Sequence, residues 1–242
     1  MPLGLVLFLL DVVLIVHAAK TGRFSPWAYV ILFLPGIGGI VAELAPEWLG
    51  SYKGRRARQH VVTTLNPTGR YRQLRDELFV VDTIANRATL AEECLHLGKF
   101  DEALAQYESI LSKPLGDEPA FMLGKARAEF GLEKPEAAVA TLEELKRRWP
   151  DYQSPDGHLL YAMALERAGH NDDAPQHYAD VSRYFPGAEP RVRQAALLHL
   201  MGRDAEARAL AEDVVKTLSR APGHVRRNQK EWLASAQRLV RS

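Results

Sequence analysis

The sequence predicts an all-α protein. Its body is a solenoid of about four stacked helical hairpins, closed by a C-terminal helix and preceded by a two-helix transmembrane hairpin. Three observations carry that expectation. Four segments between residues 83 and 222 repeat one hairpin pattern in register. Each segment closes near a proline, and Pro114, Pro150, Pro186 and Pro222 stand 36 apart. The first 58 residues hold two long apolar runs, unlike anything later in the chain.

Taken in order, residues 3–19 are apolar except for Asp11 and His17. That length is at the short end of what crosses a bilayer core of about 30 Å. Lys20 to Pro26 reads as a turn. Residues 27–45 form the second run, with Pro35, Gly36, Gly38 and Gly39 inside it and Glu43 near its end. Trp27, Tyr29, Trp48 and Tyr52 fall where interfacial aromatics belong. A cleaved signal peptide is the rival reading of the first run. It would leave a secreted or periplasmic module, but it fits poorly: the run has no Lys or Arg ahead of it and carries Asp11. A hairpin that enters the bilayer without crossing is a second rival.

Asp11 is an ionisable group in a membrane segment, costing roughly 2.5–3.5 kcal/mol at the centre on insertion scales. Packing or oligomerisation is its expected role. Gly36, Gly38 and Gly39 would admit another helix closely. The pattern Thr21-Gly22-Arg23, Trp27 and Leu34-Pro35-Gly36-Ile37-Gly38 resembles the membrane segment ahead of phospholipase D-type enzymes such as cardiolipin synthases.

Charge is local rather than global. Residues 1–58 carry Lys20, Arg23, Lys53, Arg55, Arg56 and Arg58 against Asp11, Glu43 and Glu47, a net +3 in a chain whose total is +1. The body is therefore mildly acidic, which is not a nucleic-acid footprint. Lys53, Arg55, Arg56 and Arg58 follow the second run, so the positive-inside bias places the body in the cytoplasm of a bacterial inner membrane. The same four residues can hold anionic head groups at about 1 kcal/mol each near the surface.

Residues 59–82 read as a linker and a lead-in helix. Tyr71, Leu74, Leu78 and Val81 share one face and cover the first repeat. Asp82 or Thr83 starts that repeat. In it, Leu90, Ala91, Cys94 and Leu97 line a first helix, Gly98 breaks it, and Asp101 is expected to cap the second. Ala103, Leu104, Tyr107, Ile110 and Leu111 line that second helix. The turn glycines of the four units are expected at Gly98, Gly131, Gly169 and Gly202, and repeat two is expected to widen its turn by two residues. The small residues that let the helices approach are Ala103, Ala138, Ala174 and Ala207. One helical turn on stand Tyr107, Leu142, Tyr178 and Ala211.

That combination, with a period near 34, resembles the tetratricopeptide repeat over about residues 83–222. Residues 223–242 supply the capping helix, with Trp232, Leu233, Ala236, Leu239 and Val240 on one face. The whole arrangement resembles a family of bacterial proteins that join such a membrane segment to a tetratricopeptide array. This implies an architecture, not an activity.

No enzyme signature stands out. The phospholipase motif His-x-Lys-x-x-x-x-Asp, a phosphate loop, a dinucleotide fingerprint and Gly-x-Ser-x-Gly are all missing from the sequence. No cofactor is expected. His170 and His177, with Asp172 and Asp173, read as polar turn residues rather than metal ligands.

What remains is a surface. In the repeat family, ligands lie along the face made by the first helices. The turn positions map that groove to Glu92, Leu95 and His96 in repeat one, Phe121, Lys125 and Glu129 in repeat two, Leu159, Met163, Glu166 and Arg167 in repeat three, and His199 in repeat four. Glu92 stands where the family's clamp for acidic tails would have Asn. The implied partner is a protein that offers a peptide or helix of mixed apolar and charged character, and the bilayer is the second partner. The resulting expectation is a non-catalytic, membrane-anchored scaffold. The alternative is an accessory or regulatory subunit of an envelope lipid enzyme, recognised through its hairpin.

Overall fold

A computed structural model describes residues 68–241, and every regular element among them is helical. The expected transmembrane hairpin, with Asp11, Gly36, Gly38 and Gly39, lies outside the described residues. So does the basic segment of Lys53, Arg55, Arg56 and Arg58. Among the described residues no helix is long and apolar enough to cross a membrane.

The lead-in helix is α1, Gly69–Val80. Tyr71 and Leu74 are buried against the first repeat, and Leu78 packs beside them. Val81 does not join that face. It sits in the turn after the helix, about half exposed, and its carbonyl accepts from the Asn86 amide side chain at 2.8 Å. The Tyr71 hydroxyl donates to Glu102 at 2.5 Å, and the Lys99 ammonium lies 4.4 Å from the Tyr71 ring centroid. These contacts fasten α1 to the second helix of repeat one.

Four hairpins follow: α2 and α3 (Ile84–His96, Phe100–Leu111), α4 and α5 (Pro119–Gly131, Pro135–Arg148), α6 and α7 (Pro155–Arg167, Ala174–Val181), and α8 and α9 (Glu189–Leu200, Asp204–Arg220). The starts are written in the sequence. Thr83 caps α2 by accepting from the Asn86 backbone N–H at 3.1 Å, and Ser154 caps α6 through Gly157 N–H at 3.0 Å. Pro119, Pro135 and Pro155 occupy first-turn positions, where their missing N–H is no loss. Asp101 does not cap α3. Lys99 holds the cap position and makes no side-chain cap bond, while Asp101 lies inside the first turn, where its charge complements the helix dipole.

Each first helix ends in the same turn. Lys99 N–H donates to Cys94 O, Lys134 to Glu129, His170 to Leu165 and Arg203 to Leu198, at 2.8–3.0 Å. This closure requires a left-handed residue one position earlier. Those residues are Gly98 (φ 71°), Glu133 (φ 57°), Gly169 (φ 81°) and Gly202 (φ 77°). In repeat two the turn residue is therefore Glu133, not Gly131, and the turn is not widened. From the left-handed residue to the buried alanine is five positions in every repeat: Ala103, Ala138, Ala174 and Ala207. Gly131, the last residue of α4, answers a packing need instead. The Phe100 ring sits 2.4 Å from where its Cβ would be, so only a glycine lets the two helices meet there.

Small residues at the crossings permit large ones between them. Tyr107, Ile110, Tyr178, Val181 and Val214 are fully buried. Burying each such side chain contributes about 1.5–3 kcal/mol before entropy is subtracted. Cys94 is also fully buried, and burial pushes its thiol up to about 11. At the C-terminus the expected cap is two helices, α10 (Gly223–Asn228) and α11 (Lys230–Arg241). The break is at Gln229, whose side-chain oxygen accepts from Ala188 N–H at 3.1 Å. Trp232, Leu233, Leu239 and Val240 then pack on the core of repeat four around Ala236.

Candidate functional site

The expected groove is only partly assembled. Between α2 and α4, Glu92, His96 and Phe121 line a recess of about 310 Å³ together with Ala88 and Tyr107. The Tyr107 hydroxyl donates to Glu92 at 2.7 Å, and the Arg127 guanidinium lies 3.8 Å from the same carboxylate. Burial and the adjacent carboxylate hold the Tyr107 phenol well above its ordinary pKa, so it acts as a donor at any physiological pH. Leu95 packs against the core rather than opening to the recess.

The rest of the expected lining has other roles. Lys125 pairs with Glu129 at 3.5 Å, and Glu129 is buried and accepts from Thr141 Oγ1 at 2.7 Å. Burial raises the Glu129 carboxyl. Leu159 is 6 % exposed and belongs to the core of repeat three, so it offers no groove surface. Met163 packs against the same core. Glu166 accepts from the Tyr178 hydroxyl at 2.5 Å. The Arg167 guanidinium lies 4.3 Å from the Phe130 ring centroid. His199 is exposed in the last turn of α8, with Nδ1 2.6 Å from Asp204 at the start of α9. At the C-terminal end, Val192, Arg193 and Ala196 face a recess of about 390 Å³ that α11 helps wall with Trp232 and Arg238.

A motif not anticipated from sequence joins these facts. In each of the first three repeats a carboxylate on the first helix takes a hydroxyl from the second: Glu92 with Tyr107, Glu129 with Thr141, Glu166 with Tyr178. A buried hydroxyl needs such a partner. The signal available in repeats one and three was a tyrosine nine positions past the left-handed turn, which has to send its oxygen somewhere. The three carboxylates assigned to the groove thus hold the paired helices together. Of the residues considered as metal ligands, His177 packs edge-on to Tyr161 at 4.9 Å between ring centroids. Among the described residues no His, Cys, Asp and Glu cluster could hold a metal ion.

A larger cavity, of about 470 Å³, was not anticipated. It lies beside the second helices, between α5, the start of α6 and Tyr184 after α7.

The array is a tetratricopeptide-type α-solenoid. Residues 89–153 match the family model of the tetratricopeptide repeat. Among solved structures the chain is similar to a thermophilic TPR protein of Thermus thermophilus. The two share 22 % identity over 74 % of this chain and 96 % of that one, with a TM-score of 0.53. At that identity the likeness speaks to the fold. No curated protein matches the chain. The resemblance of the N-terminal segment to phospholipase D-type enzymes lies outside both the family match and the described residues.

Proposed function

We propose that this protein is a membrane-tethered, non-catalytic scaffold that holds a segment of a partner protein on the face lined by its first helices. Tetratricopeptide repeats generally serve protein–protein interaction, which supports the general reading. The observation that carries it here is the recess between α2 and α4. It joins an apolar wall, Phe121 with Ala88, to a half-exposed carboxylate, Glu92, held in place by Tyr107. Such a recess suits a peptide or helix with one apolar anchor and a neighbouring charge. The apolar runs at residues 3–19 and 27–45 support the tether, and the basic residues after them support a cytoplasmic body at a bacterial inner membrane. Tethering would raise the effective concentration of a membrane partner through geometry alone.

A photo-crosslinking residue at His96, which is exposed, tests this in intact membranes. The expected result is one dominant adduct, lost when Glu92 is replaced by Lys. No adduct, or one indifferent to that replacement, would remove the groove from the account. The second reading, an accessory subunit of an envelope lipid enzyme, rests on the N-terminal resemblance. Replacing residues 1–58 by an unrelated anchor separates the two. Survival of the His96 adduct favours the groove, and its loss favours the hairpin.

A further inference from the structure

We propose that the cavity between α5, α6 and Tyr184 is a binding site for a small carboxylate with an aromatic or branched apolar body. This is separate from the groove and stands without it. The cavity lies beside the end of α7. Counted from the left-handed turn residues Gly169 and Glu133, α7 stops at Val181 three positions earlier than α5 stops at Arg148. The chain then turns, and Tyr184 reaches the ring of His158, with its hydroxyl in contact with Nδ1. The space left between α5 and this turn is floored by Gly157, where an added Cβ would crowd Ser154 and Leu123 at 3.2–3.3 Å.

At about 470 Å³ it lies within the roughly 300–1,000 Å³ typical of ligand pockets. Leu142, Leu145 and Pro150 give it apolar walls, which suit a ring or branched chain. Two charged side chains, Glu143 and Lys146, stand in its lining. Glu143 accepts from the Tyr161 hydroxyl at 3.1 Å and keeps its negative charge, so Lys146 alone offers the ligand a cation. Lys146 has no carboxylate within ion-pairing distance among the described residues, although its neighbours Arg147 and Arg148 pair with Glu144 and Asp117. Lys146 is exposed on the rim of this apolar cavity, free to meet the anionic head of a ligand whose apolar body fills the space. His158 adds no second cation at neutral pH. Loss of water around its ring, then Lys146 and His177, lower its pKa, against a smaller opposing effect of Asp180.

The test is fluorescence anisotropy of 2-naphthylacetate with the full-length chain, beside its neutral analogue 2-naphthylacetamide. Saturable binding of the acetate is expected. Lys146→Gln should weaken the acetate about tenfold and leave the amide unchanged. His158→Trp, at an exposed position, should fill the cavity and abolish binding of both. Gln153→Trp, in the connection before α6, provides the same blockade should the first variant fail to fold, as judged by circular dichroism. No saturable binding of the acetate overturns the proposal. Equal weakening of acetate and amide by Lys146→Gln overturns the choice of a carboxylate. Binding unchanged in a folded blocking variant overturns the location.

Discussion

Replacing Glu133 by glycine should stabilise the protein. Glu133 holds φ at 57°, the conformation that Gly98, Gly169 and Gly202 hold in the other repeats. A residue with a Cβ loses about 1–2 kcal/mol in that backbone region. Glycine avoids the clash but loses about 0.5–1 kcal/mol more chain entropy on folding. At mid-range the net gain is therefore about 0.75 kcal/mol. The side chain itself is exposed and makes no ion pair or side-chain hydrogen bond among the described residues, so nothing else is lost with it. For a body of this size the gain corresponds to a rise in Tm of roughly 1–4 °C. Thermal unfolding followed by circular dichroism measures it. Glu133→Ala is the control: it removes the charge but keeps the strain, and Tm should stay put. The mirror change, Gly169→Ala, should cost about what Glu133→Gly gains, since nothing lies within 4 Å of the added Cβ and the strain acts alone. A Tm for Glu133→Gly at or below that of the parent would refute the argument that backbone conformation sets the energy of this turn.

Gly124→Ala should destabilise by about 1–3 kcal/mol, because the new Cβ falls 2.3 Å from the Tyr107 ring. Pairing it with Tyr107→Leu in a double-mutant cycle should show strong coupling by chemical denaturation. Tyr178→Phe deletes only the hydroxyl given to Glu166 and should cost about 1 kcal/mol in the same assay. Cys94, with its thiol raised to about 11 by burial, should resist thiol reagents in the native state and react quickly in denaturant. Asp82 is lowered to about 2 by hydrogen bonds from Arg87 and Lys113. A lowered carboxyl contributes stability that is complete above its ordinary value of 3.8 and is lost as pH falls through about 2. NMR titration should show its midpoint climbing toward 3.8 in Arg87→Gln.

The hairpin framework was legible because its cues are local and repeated. Alanines at the crossings, prolines at the closures and apolar faces at helical spacing all point the same way. The placement of the repeat-two turn was not. Gly131 looks like a turn residue and is a packing residue, while Glu133 takes the strained backbone because the hydrogen bond from Lys134 to Glu129 closes over it. Leu159 reads as groove because its helix position allows either face, and only the neighbouring Tyr178 and Leu197 make it core. Hydroxyl–carboxylate pairs such as Glu166 with Tyr178 span two helices, so no window on one helix contains both partners. The early end of α7 was equally hidden. Pro186 disfavours helix at Phe185, but residues 182–184 hold no glycine or proline, and the meeting of Tyr184 with His158 goes with the departure there.

The constant interval of five residues after each left-handed turn makes the array modular in a practical sense. Deleting residues 133–168 would splice Leu132 onto Gly169 and leave one hybrid hairpin, α4 joined to α7, with its phase intact. Shortened or lengthened versions of this protein can therefore be made by moving whole cassettes between these junctions, so that reach along the array becomes a dimension an experimenter can set.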